Sequence, residues 1–463
     1  MRKADEAGIS ADLEAVALSS AHDARQDPAS LGGVRPYTTG ERASVAFSAV
    51  LGYGLDFYNI LIVSFLMSAI RHALGISLVQ AGVITTVTLA GSVVGGVLFG
   101  WLGDRIGRKT ALMLTLGVFG GAAILSAFSW SFGSLLVLRA IAGIGLGGEW
   151  GVGMVLFNEV WSARRRGLGS GVVMVASGAG ISAASAVAVW ALGAFSAQWG
   201  WRIALLSGGT PVLLMVYVRF FMPESRLWEA YDGLRRRGEL PVEKARASVS
   251  FIEIFKDESR RYTVAGLILV SGFMLSFYAV IVFMPELMKN LGAPLGAVRS
   301  ATLLWGLTHS IGTLLGGWFS DHVGRRPGVL LPASVELLAV VGFYFFGADR
   351  FTGAITAWPL FWLYPLWGIG VGGTVAMFGC WLSELYPVEL RSTAASIIYM
   401  AGRGVGSLGP YLVPLLASYL GGRVLDGIVI GGLVILLTII AGLILPETAG
   451  RSFAVIETKA RRI

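Results

Sequence analysis

The stretch GWLGDRIGRK, Gly100 to Lys109, returns later in the chain as GWFSDHVGRR, Gly317 to Arg326, at an offset of 217 residues. Each copy places one acid and several bases at the end of a long apolar run, with glycines on both sides. Other landmarks repeat in the same order. Leu55-Asp56-Phe57-Tyr58 returns as Leu275-Ser276-Phe277-Tyr278 at an offset of 220, and Pro223-Glu224 as Pro446-Glu447 at 223. GIGLGG from Gly143 returns as GIGVGG from Gly368 at 225, the offset that also relates Glu159 and Arg166 to Glu384 and Arg391. Near-constant offsets at four places mark one structural unit present twice.

Composition says what kind of unit. The 463 residues are 55% hydrophobic and only 14% charged, with mean hydropathy +0.72. Soluble domains carry about 25% charge, so a soluble enzyme is excluded. A helix crossing a bilayer needs about 20 apolar residues. Apolar stretches at 43–70, 78–102, 110–130, 134–160, 168–194, 203–222, 262–288, 299–319, 328–347, 357–385, 393–420 and 426–445 predict twelve such helices. The fold class is an all-α membrane protein of two pseudo-symmetric six-helix bundles. The 64 glycines fit this class, because small residues let membrane helices approach closely.

An even number of spans places both termini on one side. Connections on that side carry 27 Lys plus Arg against 6 on the other, which predicts cytoplasmic termini in a plasma (inner) membrane. Residues 1–42 read as a disordered cytoplasmic tail, 43–222 and 262–445 as the two bundles, 223–261 as a basic cytoplasmic linker and 446–463 as a second tail. The net charge of +8 belongs to this topology, not to nucleic-acid binding. Cys380, the single cysteine, reads as a packing residue and excludes an intramolecular disulfide. No HExxH, Walker loop or ligand cluster is present, so no enzyme, metal or cofactor is expected.

Two six-span halves in the same orientation are one of the repeat classes of secondary transporters, which bind substrate near the midplane between the halves. Alternation between two states needs contacts that form and break. An Asp at a helix end meets this need when it accepts hydrogen bonds from an Arg in one state and releases it in the other. Asp104, Arg105, Arg108, Asp321 and Arg325, with Glu159, Arg166, Glu384 and Arg391, are therefore the expected gating residues. The unit is expected to work as a monomer in the lipid bilayer.

The paired motif, together with Arg139 followed by Gly143 and Gly145, resembles the signatures of the major facilitator superfamily. The resemblance runs from about residue 43 to 450. Within it, GLGGEWGVG from Gly145, Glu159 with Arg166-Gly167, PESRLW from Pro223, and SELYP with Arg391 are similar to the organic-acid:proton symporters, a group that includes sialate, lactate and aromatic-acid porters. PETAGRS from Pro446 is similar to sugar porters, whose glutamine-rich seventh span is absent around Ser271 to Phe277. Aromatic-acid porters carry two Asp three apart in the first span, and here the pair is Asp56 and Asn59. The resemblance implies proton-coupled symport of a small carboxylate. The alternative is a neutral or cationic compound, in sugar uptake or drug efflux.

A charge at mid-bilayer costs about 2.5–3.5 kcal/mol or more, so each in-span charge asks for a reason. Asp56 lies near the middle of the first span, with Asn59 on the same face. A buried carboxyl there suits a group that loads and releases a proton. The resemblance associates Arg139 with proton coupling. Glu149 is a second candidate proton site, too far along the fourth span to pair with Arg139. Arg403, between Gly402 and Gly404 that leave space beside it, offers an always-charged fork for an anionic substrate. Tyr58, Trp150 and Tyr278 are the aromatic residues expected to line the substrate cavity. His309 and Glu336 carry less weight, and Arg219 reads as a snorkelling residue.

Overall fold

The computed structural model describes residues 37–160, 166–236, 253–346, 357–386 and 388–448. Among them the first half holds α1 (Thr39–Leu74), α2 (Leu78–Ile106), α3 (Arg108–Ser126), α4 (Phe132–Val160), α5 (Arg166–Ala194), α6 (Ala197–Ser207), α7 (Pro211–Phe221) and α8 (Arg226–Arg236). The second holds α9 (Asp257–Asn290), α10 (Leu295–Val323), α11 (Arg325–Phe346), α12 (Ala357–Val375), α13 (Phe378–Glu384), α14 (Val388–Gly406), α15 (Gly409–Tyr419), α16 (Val424–Leu433) and α17 (Ile435–Ile444). Among the described residues, nine segments, counting α6–α7 and α16–α17 as one each, are long and apolar enough to cross a membrane by themselves. With α10, α12–α13 and α14–α15 they make the twelve expected spans.

Four spans are broken where the sequence reading drew one helix each. Pro211 and Pro410 open α7 and α15 within the first turn, where the missing N–H costs nothing, but the same residues interrupt the ladder of a continuous helix. The α1 helix starts at Thr39, ahead of the expected boundary at 43, because Thr38 and Glu41 form a reciprocal capping box. It ends at Gly75, whose φ of 65° takes the left-handed cap. The linker is not structureless: α8 lies within it, and Arg226 there pairs with Glu41 at 2.6 Å. The remainder of the linker at 237–252 and most of both tails lie outside the described residues.

The duplicated glycine runs explain the close helix pairs. A Cβ on Gly147 of α4 would sit 1.7 Å from the Ser92 carbonyl oxygen of α2, and one on Gly143 would sit 2.1 Å from that of Thr88. In the second half, Gly372 of α12 meets the His309 carbonyl of α10 at 2.1 Å in the same sense. Backbone-to-backbone packing of this kind is how membrane helices gain contact where no hydrophobic difference drives them together.

The Pro-Glu pairs have a matching structural role. Each chain reversal between α2 and α3, and between α10 and α11, turns on a glycine with positive φ, Gly107 at 100° and Gly324 at 124°. The Glu224 carboxylate then accepts from the Lys109 N–H at 3.0 Å, and Glu447 accepts from Arg325 and Arg326 N–H at 2.8 and 2.9 Å. A carboxylate on free N–H groups at a helix start is favoured by hydrogen bonding and by the helix dipole. A side chain at either glycine would collide with that carboxylate.

Candidate functional site

At the centre of the molecule, Arg403 of α14 donates from Nη2 to Asp56 Oδ2 of α1 at 3.1 Å. Both side chains are sealed, at 2% and 0% exposure. The pair joins one half to the other. Neither group is saturated: Asp56 Oδ1 and Arg403 Nε have no protein partner. The rings of Tyr278 and Tyr399 lie close to the guanidinium, and Tyr53 of α1 lies close to Tyr399 of α14 across the halves. Gly402 serves packing and does not open space beside Arg403, since a Cβ there would lie 2.4 Å from Val270 of α9. Gly404 faces Val93 of α2 across the interface.

Glu149 of α4 is buried beside this pair, with Oε2 unpartnered and Oε1 so close to α1 that a Cβ on Gly52 would lie 2.2 Å away. It borders a narrow crevice formed with Ala49, Tyr53, Gly153, Met154 and Val173. Arg139 is elsewhere. Its Nη2 donates to the Asn59 carbonyl at 2.6 Å, and Asn59 Nδ2 donates to the Gly208 carbonyl at 3.0 Å. Arg139 therefore fastens α4 to α1, and it holds no carboxylate. The reason is register: it enters α4 from the side of the membrane opposite the termini and meets α1 at Asn59, beyond Asp56.

The expected aromatic residues separate. Tyr278 is buried beside Phe277, ring centroids 5.0 Å apart, next to Arg403. Tyr58 turns away, its hydroxyl paired with Ser207 of α6 inside the first half. The side chain of Trp150 lies outside the described residues.

Of the expected gating residues, Asp321, Arg325 and Glu384 of the second half meet. Arg325 donates to Asp321 Oδ1 at 2.6 Å and, through Nη2 and Nε, to both oxygens of Glu384, which also accepts from Thr448 at 2.6 Å. Asp321, Arg325 and Glu384 belong to the second half, and Thr448 follows it directly. Arg105 stacks on Trp101 at 4.1 Å, and Arg108 opens α3. The side chains of Asp104, Glu159, Arg166 and Arg391 lie outside the described residues.

Sequence reasoning passed over the contacts that close the opposite side. Arg71 at the end of α1 pairs with buried Glu286 of α9 at 3.3 Å, and Lys289 donates to the Phe65 carbonyl at 2.6 Å. Gly82 of α2 packs against the Pro410 carbonyl nearby, where a Cβ would be 2.1 Å away. Glu286 falls inside the seventh apolar run, so the cost of an in-span charge was the available signal. The other omission is the partner of His309, Ser177 of α5, whose Oγ lies 3.1 Å from Nε2 across the halves.

Comparison with known proteins identifies the family and the fold. A protein of Haemophilus influenzae named for metabolite transport is 30% identical over 370 residues, covering 79% of this chain and 86% of its own length. A protein of Cupriavidus pinatubonensis named as a 4-methylmuconolactone transporter is 29% identical, covering 80% and 82%, and the cis,cis-muconate transport protein of Acinetobacter baylyi is 26% identical, covering 84% and 89%. Among solved structures, a proton:xylose symporter of the major facilitator superfamily superposes with a TM-score of 0.71 at 21% identity, over 91% of this chain and all of that one. Residues 43–460 match the model of the sugar (and other) transporter family, and the chain belongs to that family of the major facilitator superfamily.

Proposed function

We propose that the protein is a secondary transporter that moves a small organic anion together with a proton by alternating access, acting as a monomer. Residues 43–222 and 262–445 are its two moving bodies. The observation that carries this reading is the buried Asp56–Arg403 pair linking them. A substrate carboxylate binds the guanidinium fork and displaces Asp56. Asp56, left in a dry site without its cation, takes up a proton.

Charge accounting then gives the coupling. The empty site holds Arg⁺ with Asp⁻, and the loaded site holds Arg⁺ with substrate carboxylate and a neutral Asp56. Both sum to zero. Substrate without proton leaves one buried negative charge, and proton without substrate leaves one buried positive charge. Each half-loaded state carries a penalty of several kcal/mol, so the halves rock only when the site is fully empty or fully loaded. Glu149, beside the pair and against the crevice, is the second proton-handling group. The Lys and Arg excess on the side of the termini supports a cytoplasmic location for both ends, which makes the Arg71–Glu286 contact external. Relatives named for muconate and 4-methylmuconolactone support an organic-acid substrate.

Reconstituted vesicles offered a panel of carboxylates under an imposed pH gradient provide the test. Accumulation that follows the gradient is expected. Uptake indifferent to it would sink the symport, and uptake of xylose but of no carboxylate would favour a neutral substrate instead.

A further inference from the structure

Two side chains of α10 are left unused by the ion pair and its carboxylate ligand. Trp305 and His309 stand one helical turn apart and stack, with ring centroids 5.0 Å and planes 14° apart. Both are buried. The Ser177 hydroxyl donates to the Met174 carbonyl at 2.7 Å, so its 3.1 Å contact with His309 Nε2 is made by the ring N–H. That assignment makes Nδ1 an acceptor. Neither Nδ1 nor the indole Nε1–H of Trp305 has a protein partner. Buried polar groups in native proteins are rarely left so.

The place is a seam between the halves at mid-membrane. A Cβ on Gly178 of α5 would lie 2.7 Å from the Gly306 carbonyl oxygen and 3.2 Å from His309 Cδ2, so the imidazole occupies room that glycine alone leaves. From Trp305 the rings continue through Phe277, 6.4 Å away, to Tyr278 at a further 5.0 Å, and Tyr278 adjoins Arg403. An aromatic path about two rings long thus runs from the anion site to a buried ring pair that carries one free donor and one free acceptor. A hydroxyl group can answer either, accepting from the indole or donating to the imidazole. A second carboxylate, which is acceptor-only, satisfies the indole alone.

We infer that Trp305, His309 and Ser177 determine specificity: the free polar atoms of the two rings read a hydroxyl remote from the carboxylate that Arg403 holds, with Ser177 holding the imidazole in place. The inference rests on the organic-acid reading above.

Uptake kinetics of 4-hydroxybenzoate, benzoate and cyclohexanecarboxylate test it in reconstituted full-length protein. The wild type is expected to favour the hydroxylated acid. Trp305→Phe and His309→Phe keep a flat ring and remove the polar atoms, so each should lower the ratio of kcat/KM for 4-hydroxybenzoate over benzoate by about tenfold. Ser177→Ala, which releases the imidazole, should move the ratio the same way by less. Should the histidine variant fail to fold, Trp305→Phe carries the measurement. A proportional loss for all three acids, or an unchanged ratio, would overturn the assignment and leave the seam a packing contact. A wild type that takes up no carboxylate would instead overturn the transport reading on which the inference stands.

Discussion

Arg403 and Asp56 are 347 positions apart in the chain and 3.1 Å apart in the folded protein. Removing one member leaves the other as an uncompensated buried charge, which costs about 3–5 kcal/mol. Arg403→Ala is therefore expected to lower carboxylate uptake by at least about a hundredfold. Lysine at the same position should rescue poorly, because a point charge does not reproduce the planar fork. Melting in detergent should show Arg403→Ala less stable than the double variant Asp56→Asn with Arg403→Gln, in which no charge is stranded. Asp56→Asn alone should abolish gradient-driven accumulation yet retain some counterflow exchange, measured with labelled substrate inside preloaded vesicles. Each of the two residues was legible in the sequence, since a charge inside an apolar run is expensive wherever it sits. Their pairing was not, because it joins different halves and leaves no periodic trace.

At the scale of helices, the glycines divide by what stands against them. Gly147→Ala must push α4 off the α2 backbone and is expected to destabilise by about 1–3 kcal/mol. Gly100→Ala, with nothing within 4 Å of its Cβ, should melt within about 0.5 kcal/mol of the wild type. Thermal denaturation of the purified protein compares the two. The far-side closure makes a separate prediction. Glu286→Gln weakens the link between the ends of α1 and α9, so a cysteine placed at buried Ser64, in a Cys380→Ala background, should react faster with a membrane-impermeant thiol reagent applied from outside. Unchanged labelling would mean that Gly82 against Pro410 and Lys289 against Phe65 hold that side shut without the ion pair. Helix positions were largely readable from apolar length. The breaks at Pro211 and Pro410 were readable in principle, since proline interrupts the hydrogen-bond ladder, but the apolar runs continue through them and mask the change.

For the whole molecule, a site that is neutral both empty and loaded predicts electroneutral transport of a monovalent acid. Uptake at a fixed pH gradient should be insensitive to a potassium diffusion potential, and a dianion should show dependence on the potential. Twelve spans, a duplicated architecture and a handful of in-span charges can be read along the chain, because bilayer thickness sets apolar length, duplication keeps its offsets, and buried charge is costly enough to be rare. Who meets whom emerges in the folded protein. It puts Asp56 with Arg403 and leaves Arg139 to a backbone carbonyl, sets Arg325 on Asp321 and Glu384, and brings Ser177 to His309 across the seam. Those partnerships depend on the angle and register at which helices from the two halves cross, and in a membrane these follow from backbone contacts at glycines distributed over the whole chain, which no local stretch encodes.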